Sequence, residues 1–313
     1  MGYTLCVLGC GTMGIAVLSG VIDSLDVGSR ITSNGREKWE SHTPGTVTPT
    51  DSSDASLPNR FLACVSREES ARKLRSVFEN LGSLGQTVEV YAGQNVHAAK
   101  QADVVLLCCK PQLAHSILSE PGMQEALDGK LLISILAGVT ISQLTGWVLP
   151  STTVIRAMPN TPCKIREGMT TISTIPNSPN QELHNAIILK IFTSIGRCVI
   201  LDEKHFDACT ALSGSGPAFA CIFLEAMADG GVMMGLPRPE ALQLASQTLQ
   251  GAARMVLQTG GHPAQIKDAV TTPGGCTIAG LLALEDGRVR STIARCIQVA
   301  TERASELGQP AKK

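Results

Sequence analysis

The sequence predicts an α/β fold, with an N-terminal Rossmann-like, doubly wound, mostly parallel sheet followed by an all-α C-terminal domain. Short apolar runs alternate with helical segments along the first part of the chain, a pattern typical of a parallel sheet covered by helices. Beyond about Leu201 the strand signals stop and only segments with helical periodicity follow. We therefore expect a sheet domain over residues 1–201 and a helical domain over residues 202–313.

The expected strands are apolar runs of four to six residues, a length usual for buried strands. The run at residues 3–8 opens the chain, and the others recur at intervals that leave room for crossover helices. We expect strands at residues 3–8, 60–65, 88–91, 104–109, 131–136 and 154–158.

The expected C-terminal helices are separated by glycines and carry apolar residues at helical spacing. Several of them are apolar on most sides, so they must be buried against something. We expect helices at residues 206–212, 218–234, 239–259, 264–270, 277–285 and 289–307.

A glycine-rich turn follows the first strand and precedes a helix expected at residues 15–25. This context is the one that a dinucleotide-binding fingerprint requires, although a flexible strand-to-helix loop is the alternative. The first glycine permits the turn, the second lets a pyrophosphate approach, and the third packs helix on strand. The residues expected to contact a dinucleotide are Gly9, Gly11, Thr12, Met13 and Gly14.

Residues 28–59 interrupt the alternation with a stretch rich in Pro, Ser and Thr, which we interpret as a surface insertion. The strand expected after it ends at Ser66-Arg67, where a hydroxyl and a cation could hold a ribose 2′-phosphate. A helix N-cap serine is the other interpretation of Ser66. Residues 31–36 could instead form the second strand and its phosphate loop, but we favour Ser66-Arg67.

Composition excludes several classes of function. The net charge of −1 and an aromatic content of 3% argue against a nucleic-acid partner. Eleven cysteines without paired spacing are typical of reduced intracellular thiols, and no cluster of residues suggests a metal site. Because no uninterrupted apolar run is long enough to span a bilayer, we expect no membrane partner and a cytoplasmic location.

The run from Thr271 to Gly280 contains Pro273-Gly274-Gly275 directly before a helix. A Gly-rich turn that opens a helix presents free backbone N–H groups and a positive dipole end, which together suit a carboxylate. The simpler alternative is a Pro-Gly turn with an N-cap threonine.

Four segments together resemble the pyrroline-5-carboxylate reductase family. They are residues 262–290, 154–170, 212–219 and 228–238, so the resemblance covers nearly the whole chain apart from the insertion. It implies NADPH-dependent reduction of the cyclic imine 1-pyrroline-5-carboxylate to L-proline, with NADH as a possible substitute. It also implies that residues 1–201 bind NADP and that residues 202–313 bind the small-molecule substrate and form a homodimer or higher homo-oligomer.

The same resemblance implies individual roles. Thr277 would hydrogen-bond the ring nitrogen as the catalytic residue, while the turn holds the carboxylate; Glu203 would lie near the substrate, unless it is only a helix-start glutamate. Ala269 replaces a polar residue that contacts the cofactor in many family members, and Cys276 replaces a smaller residue. The implied substrate residues are Glu203, Gly274, Gly275, Cys276 and Thr277. The implied cofactor residues, besides the first glycine turn, are Ser66, Arg67, Asn95, Cys108, Cys109, Lys110, Pro111 and Ala137.

Two other functions compete with this hypothesis. A β-hydroxyacid dehydrogenase also begins with a Gly-x-Gly-x-Met-Gly turn and ends in helices, and in that case Lys267 would be the proton donor. A non-catalytic NADPH-binding sensor would bind the cofactor without turnover, but the substrate turn would then have no purpose.

Overall fold

The computed structural model of the chain describes residues 2–31 and 54–307. It divides into two compact units, the first running to Gly214 and including residues from Thr301 onward, the second comprising Ser215–Ala300. The boundary expected between residues 201 and 202 lies within the first unit. Contacts such as the Arg156–Glu203 ion pair hold the chain after Leu201 on the sheet.

Eight strands form the sheet of the first unit, in the order β3-β2-β1-β4-β5-β6-β7-β8. All neighbouring strands are parallel except β6 and β7, where Ala157 lies opposite Ile172 in an antiparallel register. The strands are β1 (Tyr3–Leu8), β2 (Pro58–Val65), β3 (Glu89–Ala92), β4 (Val104–Leu107), β5 (Leu131–Ser134), β6 (Thr153–Met158), β7 (Gly168–Ser173) and β8 (Gly196–Leu201).

Helices cover both faces of this sheet. Some are a single turn long, and α8 connects β7 to β8. The helices are α1 (Thr12–Ile31), α2 (Glu68–Glu79), α3 (Gly82–Gly85), α4 (Asn95–Gln101), α5 (Ala114–Leu118), α6 (Met123–Ala126), α7 (Ile141–Thr145), α8 (Gln181–Thr193) and α9 (Phe206–Cys209).

The core consists of two apolar layers separated by the sheet. Alternate residues of β1 point to opposite faces, so Leu5 and Val7 belong to one layer while Cys6 and Leu8 belong to the other. The first layer receives side chains from α1, α2 and α8, and the second receives them from α4 to α7. Burial on both faces explains why the central strands are uninterrupted apolar runs.

The strand order reverses between β1 and β4, because the chain proceeds from β1 outward to β3 and then returns to β4. Open α/β sheets bind ligands outside the carboxyl ends of their strands at such a switch point. The turns that follow β1, β2, β4 and β5 all leave the sheet at this edge. The fold therefore places the sequence-predicted cofactor residues along one edge.

The second unit is entirely helical. Its small buried residues Ala228, Ala241 and Ala245 lie on the first two helices, whereas many of its large apolar side chains are exposed. The helices are α10 (Gly216–Met233), α11 (Arg238–Thr259), α12 (Pro263–Ala269), α13 (Cys276–Asp286) and α14 (Val289–Leu307), the last of which extends into the first unit.

The helical stretch Glu203–Met233 is long and apolar enough to cross a membrane by length and composition, with a mean hydropathy of 1.3. Only 11% of its apolar window is buried within the chain. The expectation that no run is long enough was based on uninterrupted apolar residues, whereas this helical stretch also contains small and polar residues between its apolar ones. A helix that packs against a second protein copy passes the same test.

The structure confirms the predicted fold class and every expected strand, within a few residues at the ends. Strands β7 and β8 and helix α8 had no predicted counterparts. Residues 32–53 of the expected insertion lie outside the described residues, but α1 continues to Ile31, so the insertion begins later than residue 28. Pro58–Val65 pairs directly with β1, which confirms the favoured position of the second strand. The alternative at residues 31–36 lies, apart from Ile31 at the end of α1, outside the described residues.

Candidate cofactor and substrate sites

The glycines of the first turn have three different surroundings. Gly9 has a φ of +76°, and a Cβ added there would lie 2.6 Å from the Cα of Cys109. A Cβ on Gly14 would lie 2.9 Å from Cγ1 of Val7, so this glycine allows α1 to pack on β1. Gly11 is exposed, and the nearest atom to its added Cβ is 3.9 Å away. The turn thus has the tight corner, the open backbone and the close helix packing that suit a dinucleotide.

Thr12 and Met13 begin α1 directly after this turn, with Thr12 exposed and Met13 half-buried. Ile15 N donates to the carbonyl of Gly11 at 2.8 Å, which starts the helix at once. The first N–H groups of a helix have no intrahelical acceptor and therefore suit an anion such as a pyrophosphate. The structure thus brings these two residues to the cofactor edge with the glycines.

Cys108 to Pro111 follow β4 on the other side of the switch point. Cys108 N donates to the carbonyl of Leu8 at 2.8 Å, which joins this segment to β1. Burial raises the pKa of the Cys108 thiol well above its usual value and that of Cys109 to about 11. Both thiols are therefore neutral at physiological pH and unsuited to nucleophilic chemistry. Lys110 is exposed, and Pro111 begins a 3-10 helix.

Ser66 and Arg67 lie exposed at the carboxyl end of β2, where a 2′-phosphate would be bound. The N-cap of α2 is Arg67 rather than Ser66, so the alternative role of Ser66 as the cap is wrong. The two acidic residues that follow form ion pairs with other residues of α2: Glu68 with Arg75 at 2.9 Å and Glu69 with Lys73 at 2.7 Å.

Arg67 has no ion-pair partner among the residues that the structure describes, and its side chain makes no capping bond. Its guanidinium is therefore available for a phosphate.

Asn95 and Ala137 complete the cofactor edge. Asn95 is the first residue of α4, two positions after Gly93, which has a φ of +64°. Ala137 is exposed in the turn that follows β5, beside Gly138 with a φ of +75°. The structure thus brings every sequence-predicted cofactor residue to the same edge of the sheet.

Glu203 begins a 3-10 helix, and its carboxylate is bound by protein groups. Its Oε1 accepts a hydrogen bond from Nη1 of Arg156 at 2.6 Å and another from Ile141 N at 2.8 Å. The Arg156 side chain is 5% exposed and lies 4.7 Å from the ring centroid of Phe206. These contacts give Glu203 a structural role within the first unit, and its contact with substrate stays a prediction.

Sequence reasoning assigned no role to Arg156 or Asn160. Asn160 Oδ1 accepts from Met169 N at 2.8 Å, and its Nδ2 donates to the carbonyl of Ser213 at 3.1 Å. Ser213 belongs to a π-helical turn, Thr210–Gly214, a form of helix often found near functional sites. The signal that could have identified Arg156 is a lone charged residue within an otherwise apolar strand.

The substrate turn lies in the second unit, at the start of α13. Gly274 has a φ of +66°, and Gly275 is the N-cap with no side-chain hydrogen bond. A glycine cap leaves the first N–H groups of α13 without a side-chain acceptor, and the alternative interpretation, an N-cap threonine, is wrong. Cys276 and Thr277 are the first two residues of this helix; Cys276 is exposed and Thr277 half-buried. A small carboxylate fits such a helix start.

Lys267, the proton donor in the dehydrogenase hypothesis, is ion-paired with its neighbour Asp268. Its backbone carbonyl accepts a hydrogen bond from the Thr271 hydroxyl at 2.7 Å, which anchors the start of the substrate turn to α12. In the second unit, Lys267 therefore supports the turn structurally.

Comparisons with known proteins agree with this arrangement. Residues 203–307 match the family model for pyrroline-5-carboxylate reductase dimerisation, and residues 52–138 match the model for NADP oxidoreductase, coenzyme F420-dependent. The pyrroline-5-carboxylate reductase of Lophium arboricola is 48% identical over 98% of this chain and 93% of its own length. The Schizosaccharomyces pombe enzyme of that name is also 48% identical, over 97% of this chain and 99% of its own.

Solved structures of the family share the fold. The Plasmodium falciparum pyrroline carboxylate reductase, crystallised with NADP bound, has a TM-score of 0.73 and 26% identity over 98% of both chains. The Coxiella burnetii pyrroline-5-carboxylate reductase has a TM-score of 0.74 and 27% identity over 98% of this chain and 99% of its own. With relatives of this identity over nearly its full length, the chain belongs to the pyrroline-5-carboxylate reductase family of oxidoreductases.

Proposed function

We propose that this chain reduces 1-pyrroline-5-carboxylate to L-proline with NADPH, and that NADH can substitute. Its family membership supports this activity. The structural observation that carries the proposal is the glycine-capped start of α13, which leaves backbone N–H groups and the Thr277 hydroxyl at one helix end. A cyclic imine with a carboxylate beside its nitrogen presents the complementary groups.

The cofactor end is supported by the turns along the carboxyl edge of the sheet. The open backbone at Gly11 and the N-terminus of α1 would bind the pyrophosphate, and Ser66 with Arg67 would bind the 2′-phosphate. Asn95 would lie by the adenosine ribose. The turns that carry Cys108–Pro111 and Ala137 would enclose the nicotinamide half of the cofactor. When bound, NADPH supplies the hydride that reduces the C=N bond.

The substrate end is supported by α13. We assign the carboxylate to the N–H groups that follow Gly274 and Gly275, where the helix dipole also favours negative charge. Thr277 would hold the ring nitrogen through its hydroxyl and so fix the orientation of the imine. The imine carbon would gain the hydride, and the ring nitrogen must also gain a proton, which solvent water can supply before the hydride arrives; this chain therefore needs to orient the ring more than to transfer protons.

A direct test follows NADPH oxidation with pyrroline-5-carboxylate as substrate. The wild-type chain should turn over, and Thr277→Val should lower kcat/KM by about 100-fold, because a lost hydrogen bond to the reacting group costs about 3 kcal/mol. Thr292→Val is the matched control, since that hydroxyl on α14 donates to the carbonyl of Arg288, the residue before this helix.

An inactive wild-type chain would contradict the proposed activity. An unimpaired Thr277→Val variant would contradict only the role of Thr277. A β-hydroxyacid supplied with NADP⁺ should not be oxidised by wild type or variant, whereas its oxidation would favour the dehydrogenase hypothesis and Lys267. A chain that binds NADPH but neither reduces the imine nor oxidises the hydroxyacid would favour the non-catalytic sensor.

We further propose that the second unit forms a homodimer. Its buried positions are small alanines, whereas large apolar residues such as Ile222, Met233 and Leu244 are exposed. A helical unit that buries only small residues and exposes large apolar ones lacks a core of its own, so its apolar surface must be covered by another molecule. A second copy of the same unit supplies a matching surface, and the dimerisation family model over residues 203–307 supports this assignment.

A cytoplasmic location is also our proposal, supported by the eleven unpaired cysteines of the sequence, which suit a reducing compartment. Fractionation of cells that produce the chain would test it. Recovery in the membrane pellet would instead favour a membrane role for the apolar stretch Glu203–Met233.

A further inference from the structure

We propose that Arg156 is a positioning residue for the nicotinamide half of the cofactor, acting through Glu203 on the turn that follows β5. The inference rests on the proposed function, because it takes the cofactor to lie along the carboxyl edge of the sheet. It gives Glu203 a role in holding backbone, beside the substrate contact that stays a prediction.

Arg156 holds Glu203 in one place. The arginine lies on β6 opposite Ser134 of β5, and its side chain is nearly fully buried. Its Nη1 donates to Oε1 of Glu203 at 2.6 Å, and its guanidinium lies over the Phe206 ring at 4.7 Å. A buried cation without a counter-ion is strongly unfavourable, so the guanidinium keeps the carboxylate beside it.

Glu203 in turn holds the backbone at the start of α7. Its Oε1 accepts from Ile141 N, the first N–H of that helix, which has no acceptor within the helix. Gln143 N is bound by the Thr140 hydroxyl in a reciprocal capping box. The end of the turn carrying Ala137 is therefore fixed by protein groups, with Glu203 as the contact that comes from a distant part of the chain.

The position of this turn decides which half of the cofactor is affected. The 2′-phosphate end is assigned to Arg67 after β2, and β2 and β5 lie on opposite sides of the β1–β4 switch point. A dinucleotide that crosses the switch point from β2 directs its nicotinamide half toward β4 and β5. A loosened β5 turn should thus weaken contacts to that half and leave the adenosine half unchanged.

The test compares two ligands on the full chain, NADPH and adenosine 2′,5′-bisphosphate, the latter representing the adenosine half alone. For Arg156→Met we expect the Kd of NADPH to rise about tenfold and kcat to fall, since small misplacements of binding groups are costly. The Kd of adenosine 2′,5′-bisphosphate should stay within about twofold of wild type.

The matched control is Arg60→Met. Arg60 also bonds a glutamate across strands, Glu89 at 2.6 Å, but it lies near the amino end of β2, away from the cofactor edge. The Arg60→Met variant should leave the Kd of NADPH and the Kd of adenosine 2′,5′-bisphosphate unchanged. If Arg156→Met does not fold, Arg156→Lys keeps the buried charge but not the guanidinium geometry, and it should raise the Kd of NADPH by about threefold.

Equal loss of affinity for both ligands would mean a merely structural role and would overturn the inference. Wild-type affinity for NADPH in a folded Arg156→Met or Arg156→Lys variant would overturn it as well. A wild-type chain that binds neither ligand would overturn the proposed function, and this inference with it. A wild-type chain that binds both ligands, together with a variant that does so equally well, would overturn the positioning role alone.

Discussion

Gly9 and Cys109 approach each other so closely that a Cβ on Gly9 would lie 2.6 Å from the Cα and 2.7 Å from the N of Cys109. The contact joins β1 to the segment after β4 at the switch point of the sheet. Neither backbone can withdraw without breaking the parallel pairing of Leu8 with Leu107. The residue between the first strand and the dinucleotide turn must therefore be glycine.

Gly9→Ala should destabilise the chain by at least about 2 kcal/mol, because it adds this backbone clash to the strain of a side chain at a φ of +76°. Urea unfolding would measure the loss. Gly11→Ala is the paired variant, since its Cβ meets no atom closer than 3.9 Å.

We expect Gly11→Ala to keep its stability within about 1 kcal/mol while its affinity for NADPH falls, because the new methyl group occupies the open backbone. Equal stability of the two variants would contradict the assignment of these glycines to different tasks.

Arg67 should set the cofactor preference. Its guanidinium has no ion-pair partner among the described residues, whereas the neighbouring Glu68 and Glu69 are paired with Arg75 and Lys73. Arg67→Ala should raise KM for NADPH about tenfold and leave KM for NADH unchanged, since only NADPH carries the 2′-phosphate.

Arg72→Ala, an exposed change within α2, is the control and should alter neither constant. Steady-state kinetics with both cofactors would measure the ratio of KM for NADPH to KM for NADH in each variant. A proportional rise in both KM values for Arg67→Ala would show that the arginine supports the fold of the turn and does not read the phosphate.

The sequence was a good guide to the buried strands and a poor one to the outer part of the sheet. Strands β1, β2, β4, β5 and β6 are mostly apolar because most of their residues are covered on both faces. Strand β7 contains two threonines, and β8 is a half-buried edge strand beginning Gly196-Arg197, so neither shows a clear apolar run. The antiparallel turn from β6 to β7 leaves no periodic signal at all.

The candidate sites divide in the same way. Local motifs predicted the two glycine turns, because a single glycine is enough to indicate a positive φ or a close approach of two backbone segments. The bond between Arg156 and Glu203 joins positions 47 residues apart, and nothing in the sequence indicates that β6 and the chain after β8 meet there. Sequence reasoning assigned no role to Arg156 and placed Glu203 near the substrate or at a helix start. Only the tertiary fold shows that the two residues bond to each other and that Glu203 also binds Ile141 N.

Asp54 should contribute stability that is lost in acid. Hydrogen bonding from Lys190, and then from Ser56, lowers the pKa of its carboxyl to about 2. Because the folded pKa lies below the unfolded value of about 4, the contribution is present above pH 4 and disappears as the pH falls toward 2. A partly exposed ion pair of this kind is worth up to about 1 kcal/mol.

Asp54→Asn should therefore lower the free energy of unfolding by up to about 1 kcal/mol at pH 7, with an equal difference at pH 5. The difference between variant and wild type should shrink below pH 4, measured by urea unfolding at each pH. A difference that grows as the pH falls would contradict the sign of the pKa shift.

Ile222 should be critical for assembly of the second unit. Its side chain is 64% exposed in the single chain and lies on α10, amid the apolar surface proposed to meet a second copy. In a dimer, Ile222→Glu would bury an unpaired charge, which costs several kcal/mol. We expect the dissociation constant of the dimer to rise at least about 100-fold, measured by light scattering coupled to size exclusion.

Val77→Glu is the control for this variant. Val77 is also an exposed apolar residue, at 39%, but it lies on α2 of the first unit, outside the residues that match the dimerisation model. The same charge placed there should leave the oligomeric state unchanged. If Ile222→Glu remained dimeric at low micromolar concentration, α10 would not form the interface and another occupant would have to cover its apolar face.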